Sequence, residues 1–258
     1  RSDELALDGS WQKLLAPRAL RTVLGRDVRC ALWDTDLIPS PVASNIFSAV
    51  SRERVGVVSM EHNLPFGSPE IMRKRVAFLR RQYMSAEFPL WSALNSSVKQ
   101  RFEWVGLPAF RDFFCAGMVV IDTATHAELL ADWYRQAPRS EKYVSFGSEQ
   151  LWLNTKVQEA QLGEWLPYEW QALWMFEVAA YYPFLYADSA SAEIAQWCFA
   201  SSLMRNHIVH LAGRWESSLL HKRGPAFPEV DDLCDLIEEI AAHEETMGQA
   251  IPLGKIQP

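Results

Sequence analysis

The stretch Val28-Arg29-Cys30-Ala31-Leu32-Trp33 is apolar at every position but one and runs directly into Asp34-Thr35-Asp36. A short apolar run of this kind reads as a buried strand. Buried strands that end in acids belong to open α/β sheets, whose ligands gather at the carboxyl ends of the strands. If the strand continues through the tripeptide, both aspartates lie on one face, because alternate side chains of a strand share a face. Paired carboxylates suit a hard divalent cation, and a cation held there can in turn hold phosphate. The competing reading is a turn, where aspartate is common.

The elements around this strand alternate in type. Trp11 to Leu24 reads as a helix broken early by Pro17 and stopped by Gly25. Pro39 and Pro41 enforce a turn, and Val42 to Val50 follows as a short helix. Val55-Gly56-Val57-Val58-Ser59-Met60 and Met118-Val119-Val120-Ile121 are further buried strands. Ser68-Pro69 is an N-cap followed by proline at the first helical position, opening a helix from Pro69 to about Tyr83. Residues 84–112 show no clean period and read as irregular. Thr125-His126-Ala127-Glu128 is a capping box for a helix over Ala127–Gln136, and Ser148 caps a helix from Glu149 to Ala160. Ile208-Val209-His210-Leu211 is a late strand. Val230, Leu233, Leu236, Ile237 and Ile240 share one face of a last helix, which Gly248 ends. Strands alternating with helices imply an α/β sheet. With no internal repeat or low-complexity linker, residues 1–258 read as a single domain.

Charge narrows the partners. The net charge is −7, yet residues 229–248 carry eight acids and no Lys or Arg, so the rest of the chain is near neutral. A nucleic-acid partner is not expected, because such proteins show a basic stripe. The one basic run, Arg73-Lys74-Arg75 with Arg80-Arg81, reads as a solvated helix face. Cys30, Cys115, Cys198 and Cys234 are widely spaced in apolar surroundings, as reduced core thiols are. No stretch approaches the length of a transmembrane helix, and the expected location is cytoplasmic. The chain opens at Arg1 rather than methionine, which leaves room for a removed N-terminal segment. Most of the Trp-rich stretch from Trp165 to Trp174 is expected in the core.

Three further motifs carry chemistry. His207 and His210 share a helix face but point to opposite sides of a strand, so on the strand read here at most one is a ligand. His210 precedes Leu211-Ala212-Gly213-Arg214-Trp215, and a small residue followed by a cation brings backbone and guanidinium against phosphate. Glu149-Gln150 opens a helix after Phe146-Gly147-Ser148, where an acid is also favoured by the helix dipole alone.

Taken in order, the Asp34-Thr35-Asp36 strand, Phe114-Cys115-Ala116-Gly117-Met118-Val119-Val120-Ile121-Asp122, Glu149-Gln150-Leu151-Trp152-Leu153-Asn154, Trp165-Leu166-Pro167-Tyr168-Glu169-Trp170 and Ile208-Val209-His210-Leu211-Ala212-Gly213-Arg214-Trp215 resemble the GT-A nucleotide-sugar glycosyltransferases. The likeness is to the retaining galactosyl- and glucosyltransferases of glycosyltransferase family 8, and it spans roughly residues 11–216. It implies a GT-A-like, Rossmann-related α/β fold, a mixed sheet flanked by helices. By this resemblance Asp34, Asp36 and His210 bind Mn²⁺ or Mg²⁺, with Asp36 the firmer carboxylate ligand. Lys13 or Arg21, Asp34, Ala116, Gly117, Gly213 and Arg214 contact the donor, with UDP-sugars favoured. Glu149 and Gln150 flank the anomeric carbon as catalytic candidates, and transfer to an unknown acceptor proceeds with retention. The chain departs from the family pattern where Cys115 replaces Asn, Gln171 follows Trp170 in place of Asn, and Glu149 replaces Asp. Only 27 residues precede the first strand, so the base-binding portion is short or missing.

Two alternatives share the motif. A haloacid-dehalogenase-like phosphatase also sets D-x-D after an apolar strand, but expects Thr or Val where this chain has Ile38. A degenerate transferase acting as a binding or scaffold protein would use the acidic C-terminal helix as its partner surface.

Overall fold

The computed structural model describes residues 9–62, 64–79, 96–139, 148–186 and 191–212. Gly213, Arg214 and the expected acidic helix lie outside them. Among the described residues the chain is a mixed α/β fold. Its helices are α1 (Ala16–Leu24), α2 (Pro69–Leu79), α3 (Val98–Val105), α4 (Thr123–Gln136), α5 (Ser148–Glu159), α6 (Trp174–Tyr181) and α7 (Ala192–Arg205). Strands β1 (Arg29–Trp33), β4 (Met118–Asp122), β3 (Val55–Val58) and β5 (Gly163–Leu166) form one sheet in that order. Strands β2 (Leu37–Pro39), β7 (Ile208–His210) and β6 (Ala172–Leu173) form a second. In the larger sheet β4 runs antiparallel to both β1 and β3, while β3 and β5 are parallel.

The strand sequences follow from burial on two sides. Val55, Val57, Val119 and Ile121 face a core built with Trp11, Leu14, Leu130, Tyr134 and Leu153. Val58, Met118 and Val120 face the opposite way, onto Ile46, Val50, Leu166 and Trp170. A strand covered on both faces has no need of polar alternation. Trp170 and Trp174 are buried, as expected of the Trp-rich stretch. The first strand differs from expectation. Among the described residues β1 pairs only with β4, which puts it at the sheet edge, and it is half-buried, with Trp33 42% exposed.

Several local readings are corrected by tertiary partners. The box at Thr125 does not start α4. Asp122 caps it one turn earlier, its side chain accepting from the Ala124 N–H at 3.0 Å. Residues 84–112 are not wholly irregular, because Ser97 and Gln100 form a capping box for α3. The short helix expected over Val42–Val50 shrinks to a 3₁₀ turn at Ile46–Ser48. Arg73 is not on a solvated face; it is buried against Glu61. Gly25 ends α1 as expected, in the left-handed conformation with φ +61°. Ser68 caps α2, accepting from the Ile71 N–H at 3.4 Å.

Two interactions hold the parts that matter for the site. Buried Glu177 on α6 accepts from Ser202 Oγ and Arg205 Nη2, both at 2.8 Å, and so anchors α7, which leads into β7. The segment entering β4 is held by a ladder of carboxamides on α5. Gln158 Nε2 donates to Asp112 O at 3.1 Å. Asn154 accepts from Phe114 N–H at 2.8 Å and donates to Phe114 O at 2.9 Å. Gln150 Oε1 accepts from Ala116 N–H at 3.1 Å. Four residues of helix advance about 6.0 Å and two residues of strand about 6.6 Å, so the two repeats stay in step over this length.

Candidate metal centre

The Asp34-Thr35-Asp36 tripeptide does not continue the strand: Thr35 and Asp36 form a turn, the competing reading of the motif, with Thr35 exposed and both aspartates half-buried. It is the joint at which the chain leaves the first sheet and enters the second. Asp34 N–H still donates to Gly117 O at 2.8 Å, extending the β1–β4 pairing. Leu37 N–H then returns to Asp34 O at 3.3 Å, and Asp36 O accepts from Leu211 N–H at 3.0 Å, extending the β2–β7 pairing. In that pairing Leu37 stands opposite His210. The early acids and the late imidazole therefore meet through sheet register. One ligand atom from each of Asp34, Asp36 and His210 lies within 4.8 Å of the other two.

This spacing fits a single cation. Ligands at roughly 2.1–2.6 Å from an ion stand about 4.2–5.2 Å apart when opposed. Two carboxylates and one imidazole accept Mn²⁺ without singling it out from its neighbours in the series. His207 takes no part; its ring stacks on Trp170, with centroids 4.1 Å apart.

Lys13 enters from the 3₁₀ turn Gly9–Leu14, which buried Trp11 and Leu14 pin to the core. Its ammonium lies 2.6 Å from Asp34 Oδ1 and 3.3 Å from Glu149 Oε1, and donates to Ala116 O at 3.1 Å. Burial opposes the Lys13 charge, but the hydrogen bond to Asp34 and the charge of Glu149 outweigh it and raise its pKa. Two carboxylates, Asp34 and Glu149, flank the one ammonium, so this group of three side chains keeps an excess of negative charge.

Asp36 Oδ1 lies 3.2 Å from His210 Nε2. The hydrogen bond from His210 holds the Asp36 carboxyl below its ordinary range, against the effect of burial. Burial disfavours the charged His210 ring, but the Cys115 sulfur and the Asp36 carboxylate prevail and push its pKa up to about 10. Cys115 Sγ is 3.6 Å from His210 Nδ1.

Gly117 makes room for this ring. A Cβ there would stand 2.4 Å from His210 Cε1 and 2.8 Å from the Gln171 carboxamide. Both side chains are buried and cannot withdraw into solvent. Gly117→Ala is expected to destabilise the fold by about 1–3 kcal/mol through overpacking. Displacing the ring should also weaken Mn²⁺ binding by about tenfold or more, read by ion titration of the folded variant.

The remaining expected residues divide. Glu149, Ala116 and Gly117 join the cluster through Lys13 and His210. The Gln150 oxygen is engaged by the Ala116 N–H rather than turned to the cluster. Arg21 is not brought to the site; it pairs with Asp27 at 2.8 Å, half-exposed. Among the described residues, Cys30, Cys115 and Cys198 form no disulfide; Cys115 and Cys198 are buried and Cys30 is half-buried. Among the described residues, no helix is long and apolar enough to cross a membrane. Sequence reading noted Gln171 only as a departure and missed Asn154 as a clamp. Neither carries a local signal, since each depends on a long-range partner. No family model, no curated protein and no solved structure matches the chain, so the reading of this centre rests on its own geometry.

Proposed function

We propose that the chain is a metal-dependent glycosyltransferase of GT-A type, moving a hexosyl group from a nucleoside-diphosphate sugar, with UDP favoured, to an acceptor. The observation that carries this reading is the convergence of Asp34, Asp36 and His210 at the joint between two sheets. In this role the three side chains hold Mn²⁺ or Mg²⁺, and the bound ion supplies neutralising charge to the departing diphosphate. Lys13 orients Asp34 and keeps Glu149 near the cluster. Of the two catalytic candidates, Glu149 is the better placed to stabilise an oxocarbenium-like carbon, because the Gln150 oxygen is already committed to the backbone. Retention at the anomeric carbon follows from the family resemblance.

The test is thermal stability across a panel of nucleoside-diphosphate sugars with and without Mn²⁺. A ligand that binds only the folded state raises Tm. One sugar nucleotide is expected to do so only when the ion is present; no shift with any of them removes the reading. Release of free phosphate without an acceptor would favour the phosphatase alternative instead.

The Asp36–His210 pair adds a pH signature. For His210 the folded pKa is raised, so its contribution to metal-free stability is complete below the ordinary 6.5 and fades as pH climbs toward about 10. For Asp36 it is lowered, so its contribution is present above the ordinary 3.8 and is lost as pH falls through the lower folded value. A cation must displace the Nε2 proton, so its apparent affinity rises with pH, by up to roughly tenfold per unit. Between about pH 6 and about pH 8, the metal-free Tm advantage of wild type over His210→Asn should shrink, while the Mn²⁺-induced Tm rise of wild type should grow. A Mn²⁺ effect independent of pH would show that His210 is not a ligand.

A further inference from the structure

We infer that Gln171 is a positioning residue that fixes the His210 ring, so that Nδ1 keeps its proton and Nε2, which faces Asp36, is the nitrogen that gives up its proton to a cation held beside Asp34 and Asp36. The geometry stands on its own; the consequence for metal affinity rests on the metal-centre reading above.

Gln171 is 2% exposed and immediately precedes β6. In the parallel β6–β7 pairing Leu173 stands beside His210, and Gln171, which ends the 3₁₀ turn just before β6, sets its carboxamide 3.1 Å from the imidazole Nδ1. Its carboxamide meets two backbone groups that have no choice of role. Met118 N–H can only donate and Cys115 C=O can only accept. The orientation that satisfies both turns the Gln171 oxygen to Met118 N–H at 3.1 Å and its NH₂ to Cys115 O at 3.2 Å. That same oxygen then stands 3.1 Å from His210 Nδ1, which must carry a proton to meet it. The reverse orientation would set donor against donor and acceptor against acceptor.

Cys115 Sγ is the competing partner of Nδ1, at 3.6 Å. If the thiol donated to Nδ1, a neutral ring would carry its proton on Nε2 and could not ligate through it. A thiol is a weak donor and a carboxamide oxygen a good acceptor, so Gln171 prevails. Nε2 faces Asp36. Metal-binding histidines characteristically donate their other N–H to an oxygen, and removing that oxygen typically costs 10- to 100-fold in metal affinity. The missing Cβ of Gly117 is what lets ring and carboxamide stand this close.

Two variants separate positioning from packing. Gln171→Leu keeps the bulk and loses the acceptor. Gln171→Glu keeps an oxygen for Nδ1–H and Met118 N–H but sets another against Cys115 O. In metal-free wild type, ¹H–¹⁵N spectra should show a His210 Nδ1 proton protected from solvent exchange. The Leu variant should lose that protection, and its Mn²⁺ affinity, measured from the free-ion electron paramagnetic resonance signal, should fall about 10- to 100-fold. The Glu variant should keep the proton and bind Mn²⁺ within about threefold of wild type, even with a lowered Tm. A wild-type ring without a protected Nδ1 proton overturns the inference. So does a Leu variant that binds Mn²⁺ as wild type does, or a pair of variants whose affinities merely track their Tm. Should the Leu variant fail to fold, the wild-type spectrum decides alone. A wild type with the protected proton but no Mn²⁺ binding leaves the positioning intact and removes the metal reading.

Discussion

Asp36→Ala is expected to abolish Mn²⁺-dependent binding of the donor while leaving the chain folded. The side chain supplies one of three candidate ligand atoms, and removing merely a hydrogen-bond partner of a ligand costs about 10- to 100-fold, so loss of a ligand should exceed about 100-fold. The structural cost is small for two reasons. Asp36 holds the β2–β7 pairing through its backbone carbonyl, which alanine retains. The imidazole left behind can shed its proton and become a neutral buried ring, which avoids the large penalty of a stranded charge. Arg21→Ala is the control, because Arg21 pairs with Asp27 and should leave ion binding unchanged. Ion titration with circular dichroism melts would measure both properties. Metal-dependent turnover surviving in Asp36→Ala would end the assignment.

The second large effect is on stability. Asn154→Leu is nearly volume-conserving, yet it should cost roughly 2–5 kcal/mol. Asn154 is fully buried and satisfies both backbone groups of Phe114, itself fully buried. Leucine would strand a donor and an acceptor, each worth about 1–3 kcal/mol when left unpaired. Asn154→Asp keeps only the acceptor and should fall between the two. Equilibrium urea unfolding gives the comparison. The Leu variant should also weaken ion binding. Phe114 leads through Cys115 and Ala116 to Gly117, so slack in the ladder passes to the backbone that makes room for His210. A Leu variant as stable as wild type would show that water or a shifted backbone satisfies Phe114, and the ladder would lose its structural role.

Much of the site could be read along the chain because its signals are local. Val55–Val58 and Met118–Asp122 are apolar runs bounded by polar residues, and both are strands within a residue or two of their expected limits. Ser68-Pro69 and Gly25 mark helix ends through backbone chemistry that needs no distant partner. Asp34, Asp36 and His210 stood out as ligand types at strand ends. What could not be read depends on partners far off in sequence. β6 has two residues and β2 three, too few for a periodic signal, and both exist because β7 lies between them. Arg73 looked solvated because its partner, Glu61, lies outside its helix. β1 looked buried, and is only half-buried, because an apolar run does not reveal whether one strand or two will flank it.

The sequence by itself determined which segments are apolar enough to form strands, where several helices begin and end, and which oxygen and nitrogen donors are available to a cation. Those properties are set by side-chain chemistry within a few residues. Only the tertiary structure decided that Asp34-Thr35-Asp36 joins two sheets, that Leu37 stands opposite His210, and that Gln171 and a missing Cβ at Gly117 hold the imidazole in place. The physical reason is register. Shifting one strand by a single residue turns its side chains to the opposite face, and register is chosen by the packing of the whole sheet rather than by the strand that carries the ligand.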